Sequence, residues 1–402
     1  MTETPSFLAS PRLRELQTEV LTIGESEGRR FAVLSDTILY PEGGGQPPDH
    51  GTLAGLRVAD VQKRGGEIRH FLSGDGDLAP GPARVELDWA RRFDHMQQHS
   101  AQHLLTAVAA DRFGWPTTSF HLGAELCAIE IDAASLGDRD LERLEEAVAE
   151  EIRAARPIRT RFVSPRDYEE LGARSRGLPA GHVGDVRLVE IEGVDLAACG
   201  GTHVHTTAEI EAVQLLGAES LRGGQRLTFL AGRRVRGRLR AHERRGAELR
   251  RVLGAADDEL VQIARGKLDQ LKEMGRQRRR LLGELAELLI DRLRAEGAPL
   301  VERHFDGVDL GFLGSLGRGL CTEESRQVAL LTGTDAAKGS KLLLIAAGGA
   351  AGLDAQALGR QAAEILGGRG GGSGRIFQGK VASLERRGEV VVALEAALAD
   401  PS

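Results

Sequence analysis

The sequence predicts a multidomain α+β protein. Three observations lead to this prediction. Short strand-like segments dominate the first ninety residues, a helical period of apolar residues appears in three later stretches, and the last hundred residues alternate between strand and helix. With 402 residues, 41% of them hydrophobic and 28% charged, the chain has an ordinary globular composition and the length of two to four domains.

Residues 1–90 are predicted to form a small, β-rich, barrel-like domain. Short apolar runs alternate with Gly, Pro and Asp, a pattern that favours brief strands joined by turns. The clearest strands are Phe31–Leu34, Leu56–Val58 and Ile68–Phe71.

Residues 91–232 are predicted to form an α+β domain. A helical period begins at Ala90 and continues to about Phe113, and an acidic amphipathic helix is predicted over Leu141–Ala155. Strands are predicted around these helices at 125–131, 186–192 and 212–216. The mixed order favours α+β over a regularly alternating sheet.

Residues 233–297 are predicted to form a linker of long, coiled-coil-like helices. Leucines recur there mostly in steps of three and four, as expected for one apolar helix face. Gly254 can end one helix and Asp257 can cap the next. Such helices could pair as a coiled coil, so a homodimer through them or through the C-terminal domain is an expectation.

Residues 298–402 are predicted to form a compact C-terminal α/β domain. The predicted strands Val328–Leu331 and Leu342–Ala346 are followed by a helix over Ala355–Leu366 and a glycine loop, Gly367–Gly374.

Charge is distributed unevenly along the chain. The net charge is −6, yet Arg233–Arg251 holds nine arginines against Glu243 and Glu248, a local charge of +7. This segment is either a binding surface for a long anion such as nucleic acid or a solvated helix face.

The cysteines and the apolar segments indicate the cellular compartment of the protein. Three widely separated cysteines argue against a disulfide framework and for a reducing compartment. The sequence shows neither a transmembrane run nor a secretory start. We therefore expect a cytoplasmic protein without a membrane partner.

A histidine pair provides the first chemical signal. His99 and His103 lie four residues apart in the predicted helix, so both imidazoles can face one cation. His95 lies four residues before His99 and offers an alternative pair, which the spacing alone leaves open.

The motif Cys199-Gly-Gly-Thr-His203 provides the second signal. Its two glycines allow a tight backbone that can aim a thiolate and an imidazole in one direction. Combined with a histidine pair, these side chains complete the tetrahedral donor set that Zn²⁺ prefers. His205 competes with His203 as the fourth ligand. A buried structural cysteine beside a surface histidine is the alternative interpretation.

A glycine-rich turn provides the third signal. The segment Tyr40–Gly51, which begins Tyr40-Pro-Glu-Gly-Gly-Gly-Gln46, exposes several backbone N–H groups, and Gln46 offers both a donor and an acceptor. In isolation the segment is equally typical of a plain hairpin turn.

Together, the three motifs resemble the editing domain of alanyl-tRNA synthetase and its free-standing relatives, the alanyl-tRNA editing proteins of the AlaX type. The resemblance rests on Pro-Glu-Gly-Gly-Gly-Gln, His-x-x-x-His-Leu-Leu and Cys-Gly-Gly-Thr-His in this order, over about residues 20–235. The later helices and Gly367–Gly374 resemble the linker and C-terminal domain of the same synthetase. Since no aminoacylation domain precedes these motifs, a long, free-standing form is expected.

The resemblance implies trans-editing, a contribution to translation fidelity. The expected reaction is hydrolysis of the ester in tRNA(Ala) charged with serine, and also with glycine. It implies His99, His103, Cys199 and His203 as ligands of one Zn²⁺. Gln46 matches a glutamine expected to hold the aminoacyl ester. Thr117 matches a threonine that recognises the serine hydroxyl, although the adjacent Thr118 leaves the register open.

The resemblance of the C-terminal domain also implies that Arg369, Arg375 and Lys380 bind tRNA phosphates, and a flexible surface loop is the alternative interpretation. The charge of the basic segment makes Arg236, Arg238 and Arg240 further candidates for phosphate binding. The C-terminal segment Gly374–Lys380 is similar to a phosphate-binding P-loop, but Val381 replaces the Ser or Thr that would hold magnesium, which argues against nucleotide hydrolysis. The alternative to an esterase is a tRNA-binding protein whose zinc is purely structural.

Overall fold

The computed structural model describes residues 4–74, 76–174, 184–335 and 340–399. It divides into two compact units, the first ending at Glu248 and the second beginning at Leu249. Helices and several sheets occur in it, so the prediction of a mixed α+β, multidomain protein is confirmed. The four-domain division stays a prediction. Within these residues, every helix is too short or too polar to cross a membrane.

The first unit begins with a closed six-stranded barrel that follows a short helix, α1 (Ser6–Ala9). Its strands pair in the order β1-β2-β5-β4-β3-β6, and antiparallel pairing of β1 with β6 closes it. Apolar side chains such as Val20, Leu53 and Val85 fill the interior. The strands are β1 (Glu15–Ser26), β2 (Arg29–Leu34), β3 (Gly51–Leu53), β4 (Leu56–Arg64), β5 (Glu67–Ser73) and β6 (Gly81–Leu87).

Helix α2 (Trp89–Phe113) is the central element of the first unit. The Asp88 carboxylate accepts a hydrogen bond from the Arg91 N–H at its start, and Gly114 ends it in the left-handed region at φ +71°. Most of its residues are buried, including a run of polar ones. Because buried polar groups need partners, the elements around α2 have to supply them.

Two antiparallel sheets and helix α3 pack around α2, and the short helix α4 follows β9. One sheet has the order β12-β13-β8-β7 and the other β11-β10-β9. The strands are β7 (Thr117–Leu122), β8 (Cys127–Ile131), β9 (Ile158–Val163), β10 (Val186–Ile191), β11 (Asp195–Ala198), β12 (Val213–Leu221) and β13 (Gly224–Ala231). The helices are α3 (Asp138–Arg153) and α4 (Pro165–Glu170).

Two long helices follow, α5 (Arg233–Leu253) and α6 (Leu260–Ala295). Gly254, at φ +66°, ends α5 as predicted. The prediction that Asp257 caps α6 is wrong. Glu259 takes the capping position without a side-chain hydrogen bond, because the Asp257 carboxylate instead pairs with Arg250 at 2.6 Å.

The second unit is built on a five-stranded sheet of order β14-β15-β16-β18-β17. Only the β14–β15 pair is parallel, so the sheet is more antiparallel than an alternating α/β pattern implies. Its elements are β14 (Leu300–Asp306), α7 (Leu310–Leu320), β15 (Val328–Thr334), β16 (Lys341–Ala347), α8 (Ala355–Ile365), β17 (Arg369–Ser373), β18 (Ile376–Val381) and α9 (Arg387–Ala399).

The predicted glycine loop Gly367–Gly374 is largely a strand. Arg369–Ser373 forms β17 and pairs with β18 along its whole length. Glycine is required at Gly370, where a Cβ would overlap the carbonyl oxygen of Gln378 on the neighbouring strand. Gly374, at φ +57°, makes the turn between the two strands.

Candidate metal centre

Helix α2 and the loop after β11 bring four metal-binding side chains together. His99 and His103 lie one turn apart on α2, Cys199 follows the last residue of β11, and His203 lies four residues later. One potential ligand atom from each lies within 4.8 Å of all the others. The three histidines are buried and Cys199 is half-buried. The structure therefore joins the two sequence motifs in one cluster.

Two sulfur–nitrogen distances in the cluster match those expected around a tetrahedrally coordinated metal ion. Cys199 Sγ lies 3.4 Å from His99 Nε2 and 3.3 Å from His203 Nε2. Zinc bonds of about 2.3 Å to sulfur and about 2.0–2.1 Å to nitrogen, at the tetrahedral angle, place S and N about 3.5 Å apart. The donor set and its spacing therefore fit Zn²⁺.

Every histidine of the cluster uses its Nδ1 for a contact with the protein. His99 Nδ1 lies 2.8 Å from Gln46 Oε1, His103 Nδ1 lies 3.0 Å from Asp195 Oδ2, and His203 Nδ1 lies 3.1 Å from Ser100 Oγ. Such contacts fix the ring orientation and the tautomer, and they leave each Nε2 available to a metal.

Gln46 connects the glycine-rich turn to this centre. Besides contacting His99, its Oε1 accepts from the Thr202 N–H at 3.1 Å, and its Nε2 donates to the Thr202 hydroxyl at 2.9 Å. Gly201 lies so close that a Cβ there would overlap the His99 ring. This contact explains a glycine within the Cys-x-x-x-His motif.

The charges in the cluster favour a thiolate. Burial alone would raise the pKa of the Cys199 thiol, but the neighbouring His99 and His203 hold it well below its usual range. Burial also opposes charge on His103, yet its hydrogen bonds to Asp195 and Cys199 raise its pKa to about 10. Burial and the neighbouring His99 lower the pKa of His203 to about 3.

The two alternative histidines lie outside the cluster. His95 is buried on α2, where burial and the nearby Arg91 lower its pKa to about 4. His205 is exposed, and its Nδ1 lies 3.3 Å from Arg12 Nη1.

Thr117 and Thr118 have different surroundings at the start of β7. The Thr117 hydroxyl donates to Thr106 Oγ1 at 3.1 Å, and Thr106 is on α2, one turn after Gln102. Gln102 Nε2 donates to the same Thr106 oxygen at 2.9 Å. Thr118, in contrast, is exposed and donates to the Glu130 carbonyl at 3.2 Å.

The predicted phosphate-binding side chains are all exposed and belong to both units. Arg236, Arg238 and Arg240 lie on α5 in the first unit, where Arg236 pairs with Glu211. In the second unit Arg369 lies on β17, Lys380 on β18 and Arg375 in the turn between them, paired with Glu323.

Sequence reasoning singled out Gln46 but missed the other two side chains that contact the clustered histidines. Asp195 and Ser100 carry no motif of their own, although an aspartate inside a short strand just before Cys199 is a usable signal. A second missed group is the buried pair Arg92–Asp49, which joins α2 to the glycine-rich turn. Arg92 Nε lies 2.9 Å from Asp49 Oδ2.

Comparison with known proteins supports one family. The family model described as "Threonyl and Alanyl tRNA synthetase second additional domain" matches residues 186–252, a range that contains Cys199 and His203. The alanyl-tRNA editing protein Aarsd1 of Rattus norvegicus is 38% identical over 370 residues, which cover 90% of this chain and 87% of that protein.

More distant similarities involve alanine–tRNA ligases. The alanine–tRNA ligase of Korarchaeum cryptofilum is 30% identical over 396 residues, covering 93% of this chain and 43% of the ligase. The solved C-Ala domain of Aquifex aeolicus alanyl-tRNA synthetase overlaps 25% of this chain and 91% of that domain, at 20% identity and a TM-score of 0.23, too low to carry an argument. On the strength of its similarity to Aarsd1 along nine-tenths of its length, the chain belongs to the alanyl-tRNA editing protein family.

Proposed function

We propose that the protein hydrolyses, in trans, the ester of tRNA(Ala) mischarged with serine and, as a second substrate, with glycine. The observation that carries this proposal is the set of Nδ1 contacts. They turn three imidazole Nε2 atoms toward Cys199 Sγ beside the glycine-rich turn. The relatives are named for alanyl-tRNA editing, and this geometry supplies a centre at which an ester can be held.

His99, His103, Cys199 and His203 would hold one zinc ion in this proposal. When bound, zinc supplies Lewis-acid chemistry that polarises a carbonyl or acidifies water. Gln46 acts as a positioning residue, because its amide already bonds His99 and Thr202. Asp195 holds His103 in the tautomer that leaves Nε2 as the metal-binding atom.

Thr117 is proposed to select the seryl ester. Its hydroxyl is half-buried beside α2 and already bonds Thr106, so it belongs to a polar group next to the metal-binding face of the helix. A site built to hydrogen-bond a substrate hydroxyl rejects the analogue that lacks it, because its own polar groups then stay unpaired. Ala-tRNA(Ala) is spared for this reason.

Deacylation assays on purified protein test both proposals. We expect Ser-tRNA(Ala) to be cleaved and Ala-tRNA(Ala) to be spared, and we expect Cys199→Ser to lose zinc and turnover together.

Thr117→Val should lower the preference for the seryl ester over the alanyl ester with zinc content unchanged. Thr118→Val is the matched control, because that hydroxyl is exposed and bonds only the Glu130 carbonyl. Unchanged selectivity in Thr117→Val would contradict the role of Thr117.

A structural zinc is the second candidate, favoured by the presence of four protein donors. Structural zinc sites usually have four protein ligands, whereas catalytic ones keep an open position. In this case the protein is a tRNA-binding protein without turnover. Failure of the wild-type protein, loaded with zinc, to cleave Ser-tRNA(Ala) would support this alternative.

The exposed arginines of α5 are proposed to bind tRNA phosphates. Arg238 and Arg240 are exposed on the helix that continues from β13. Each phosphate contact contributes to the salt dependence of binding. Replacing Arg236, Arg238 and Arg240 by Ala should weaken tRNA binding and flatten its salt dependence. A parallel variant of Arg369, Arg375 and Lys380 measures the contribution of the second unit. If the salt dependence of tRNA binding were unchanged in the α5 variant, these arginines would lie on a solvent-exposed helix face that does not contact tRNA.

Helix α6 is proposed to pair with a second copy of the chain. Leu271, Met274, Leu281, Leu285 and Leu288 are exposed in steps of three, four and seven residues. A coiled-coil seam has this spacing. Multi-angle light scattering should give a dimer mass, and Leu281→Glu with Leu285→Glu should give a monomer. A monomeric wild-type protein would contradict the proposal. Because none of the three cysteines forms a disulfide, we propose that the protein works in the reducing cytoplasm.

A further inference from the structure

Arg187 is a buried arginine of β10 that contacts the loop between Cys199 and His203. Its Nη1 donates to the Cys199 carbonyl at 2.7 Å and to the Gly201 carbonyl at 2.8 Å. The Cys199 N–H in turn donates to the Arg187 carbonyl at 3.1 Å, which continues the pairing of β10 with β11. Arg187 therefore holds the start of this loop, residues 199–203, with its backbone and with its side chain.

The two carbonyl contacts bend the loop toward the Cys199 sulfur. Because both carbonyls bond the same nitrogen, the chain has to turn back between Cys199 and Gly201. Within this turn the Gly201 N–H donates to Cys199 Sγ at 3.3 Å. Gly201 also lies against the His99 ring, where a Cβ would be 2.2 Å from Cε1. The Arg187 guanidinium therefore fixes the part of the loop that determines where the sulfur lies.

Cys199 differs from the histidines of the cluster in how it can be oriented. Each histidine contacts Gln46, Asp195 or Ser100 through Nδ1 and keeps Nε2 for a metal. A cysteine has a single polar side-chain atom, and a metal would occupy it. The orientation of Cys199 therefore has to come from its backbone, which is the part that Arg187 bonds.

The burial of Arg187 indicates that its bonds to the loop are strong. Among the residues that the structure describes, no carboxylate pairs with its guanidinium. Burying a charge without a counter-ion costs free energy, so the bonds to the two carbonyls have to offset that cost. Hydrogen bonds from a charged donor in a buried site are stronger than those between neutral groups. A loop held by two of them has little freedom to move.

We propose that Arg187 is the positioning residue of the thiolate ligand, and that it holds residues 199–203 in the metal-binding conformation before a metal binds. The proposal rests on the proposed metal centre. A loop that is already ordered loses less entropy on binding, so the affinity for the metal rises. Loss of Arg187 should affect the thiolate more than the histidines, because the Nδ1 contacts of the histidines stay in place.

Two substitutions of Arg187 and one control test the proposal. Arg187→Met keeps a long aliphatic side chain and removes both carbonyl bonds. Arg187→Lys keeps the charge and one donor group, but it lacks the fork of the guanidinium. Val189→Ala is the matched control, because Val189 is buried two residues later on the same strand and packs into the apolar core. It weakens the packing of β10 and leaves the bonds to the loop in place.

Zinc affinity and the absorption of the cobalt-loaded protein are the two measurements. Competition with a chromophoric chelator gives the affinity. Cobalt(II) replaces zinc in sites with nitrogen and sulfur ligands, and its bond to a thiolate gives a charge-transfer absorption that its bonds to imidazole do not give. This absorption, measured per bound cobalt, reports on the thiolate separately from the histidines.

Arg187→Met should lower zinc affinity by about 10–100-fold, as expected for a group that supports a ligand, and it should weaken the thiolate–cobalt absorption. Arg187→Lys should lie between Arg187→Met and the wild-type protein, and it serves if Arg187→Met fails to fold. Val189→Ala should match the wild-type protein in both measurements. If the Arg187 variants matched Val189→Ala, the role of Arg187 would be overturned.

The same measurements separate this proposal from those on which it rests. A wild-type protein that binds no zinc would overturn the metal centre and with it the role of Arg187. A wild-type protein that binds zinc without cleaving Ser-tRNA(Ala) would contradict the proposed reaction only, because neither measurement depends on turnover.

Discussion

The two units of the protein differ in how many polar side chains they bury among apolar ones. In the first unit the ionic pair Arg92–Asp49, the amide of Gln46 and the three histidines of the candidate metal centre are all buried. In the second unit the core is apolar, and among the residues that the structure describes there, Thr332 is the only buried polar side chain. The first unit therefore buries many polar groups beside its apolar clusters, whereas the described core of the second unit is almost entirely apolar.

This difference indicates where function resides in each unit. Burying a polar group costs free energy unless a partner compensates it, so a network such as that of the first unit is maintained at some expense to stability. In the second unit the core contributes packing only, and any binding role belongs to its surface. The first unit should accordingly be sensitive to single polar substitutions inside it, and the second should tolerate changes of charge.

The strongest test of this comparison breaks the buried ion pair. Arg92 bonds Asp49 and also donates to the carbonyls of Pro11 at 2.6 Å and Ile38 at 2.5 Å. Arg92→Leu leaves a buried carboxylate unpaired and should lower the free energy of unfolding by about 3–5 kcal/mol. Urea unfolding followed by tryptophan fluorescence measures this, because both tryptophans, Trp89 and Trp115, lie in the first unit.

The matched control removes both charges. Since burial raises the pKa of the Asp49 carboxyl while Arg92 opposes that shift, the loss in Arg92→Leu comes mainly from the stranded acid. Arg92→Leu combined with Asp49→Leu should therefore cost less than Arg92→Leu alone. If Arg92→Leu lowered the free energy of unfolding by less than about 1 kcal/mol, the buried ion pair would be no more sensitive than an exposed one, and the comparison between the two units would fail.

The second test uses the pH dependence of His70 in the barrel. Its Nδ1 donates to the Ala32 carbonyl at 3.2 Å, and its Nε2 accepts from the Thr37 hydroxyl at 2.8 Å. Burial lowers the pKa of this neutral imidazole from 6.5 to about 4, with the hydrogen bond to Ala32 opposing part of the shift. Below pH 6.5 the unfolded chain binds a proton that the folded chain refuses, so stability falls as pH falls toward 4.

The full loss from His70 is about 3 kcal/mol, of which about 2 kcal/mol falls between about pH 7.5 and pH 5.0. The free energy of unfolding of His70→Gln should change less over this interval than that of the wild-type protein, even if the substitution also lowers stability at every pH. The measured quantity is the difference between the free energies of unfolding at the two pH values, again followed by tryptophan fluorescence. An identical pH dependence in the two proteins would show that folding does not shift the pKa of His70.

The third test concerns the support of the metal centre. Asp195→Asn keeps the shape of the side chain but removes the charge that orients His103, and zinc affinity should fall by about 10–100-fold. Competition with a chromophoric chelator measures the affinity. Arg174→Gln is the control, because Arg174 pairs with the other oxygen of Asp195 at 2.9 Å and leaves His103 untouched. Equal affinities of Asp195→Asn and the wild-type protein would show that His103 needs no such support.

These tests address features that differ in how far the sequence could reveal them. Periodicity identified the long elements. Local spacing identified candidate ligand pairs, because residues four apart on a helix or across a glycine turn are neighbours whatever the rest of the fold does. It left open His95 against His103 and His205 against His203, and the family resemblance made that choice. The glycine-rich segment that became β17 was missed, because the partner strand and not the segment itself determines its conformation.

The supporting residues could not be found in this way. Gln46 meets His99, and Asp195 meets His103, across 53 and 92 residues of sequence. Only the folded chain creates these neighbours, and no local pattern in a single sequence encodes them. For Asp257 a local rule gave a wrong prediction. Aspartate is a good capping residue, but here it forms an ion pair with Arg250 and does not cap α6. Local rules therefore identified ligands better than the groups that orient them.

The smallest expected effect comes from an exposed ion pair in the second unit, the counterpart of Arg92–Asp49. Arg278 Nη2 lies 2.9 Å from Asp309 Oδ2, with side chains 51% and 39% exposed. Water and salt screen such a pair, so Arg278→Ala should lower the free energy of unfolding by less than about 1 kcal/mol.

Asp309→Ala should lower it more, because the Asp309 Oδ1 also accepts from the Phe312 N–H at 3.0 Å and caps α7. Hydrogen exchange of peptides from β15 measures both, since neither tryptophan lies in this unit. If Arg278→Ala matched the loss in Arg92→Leu, the contrast between a sensitive polar interior and a tolerant charged surface would fail.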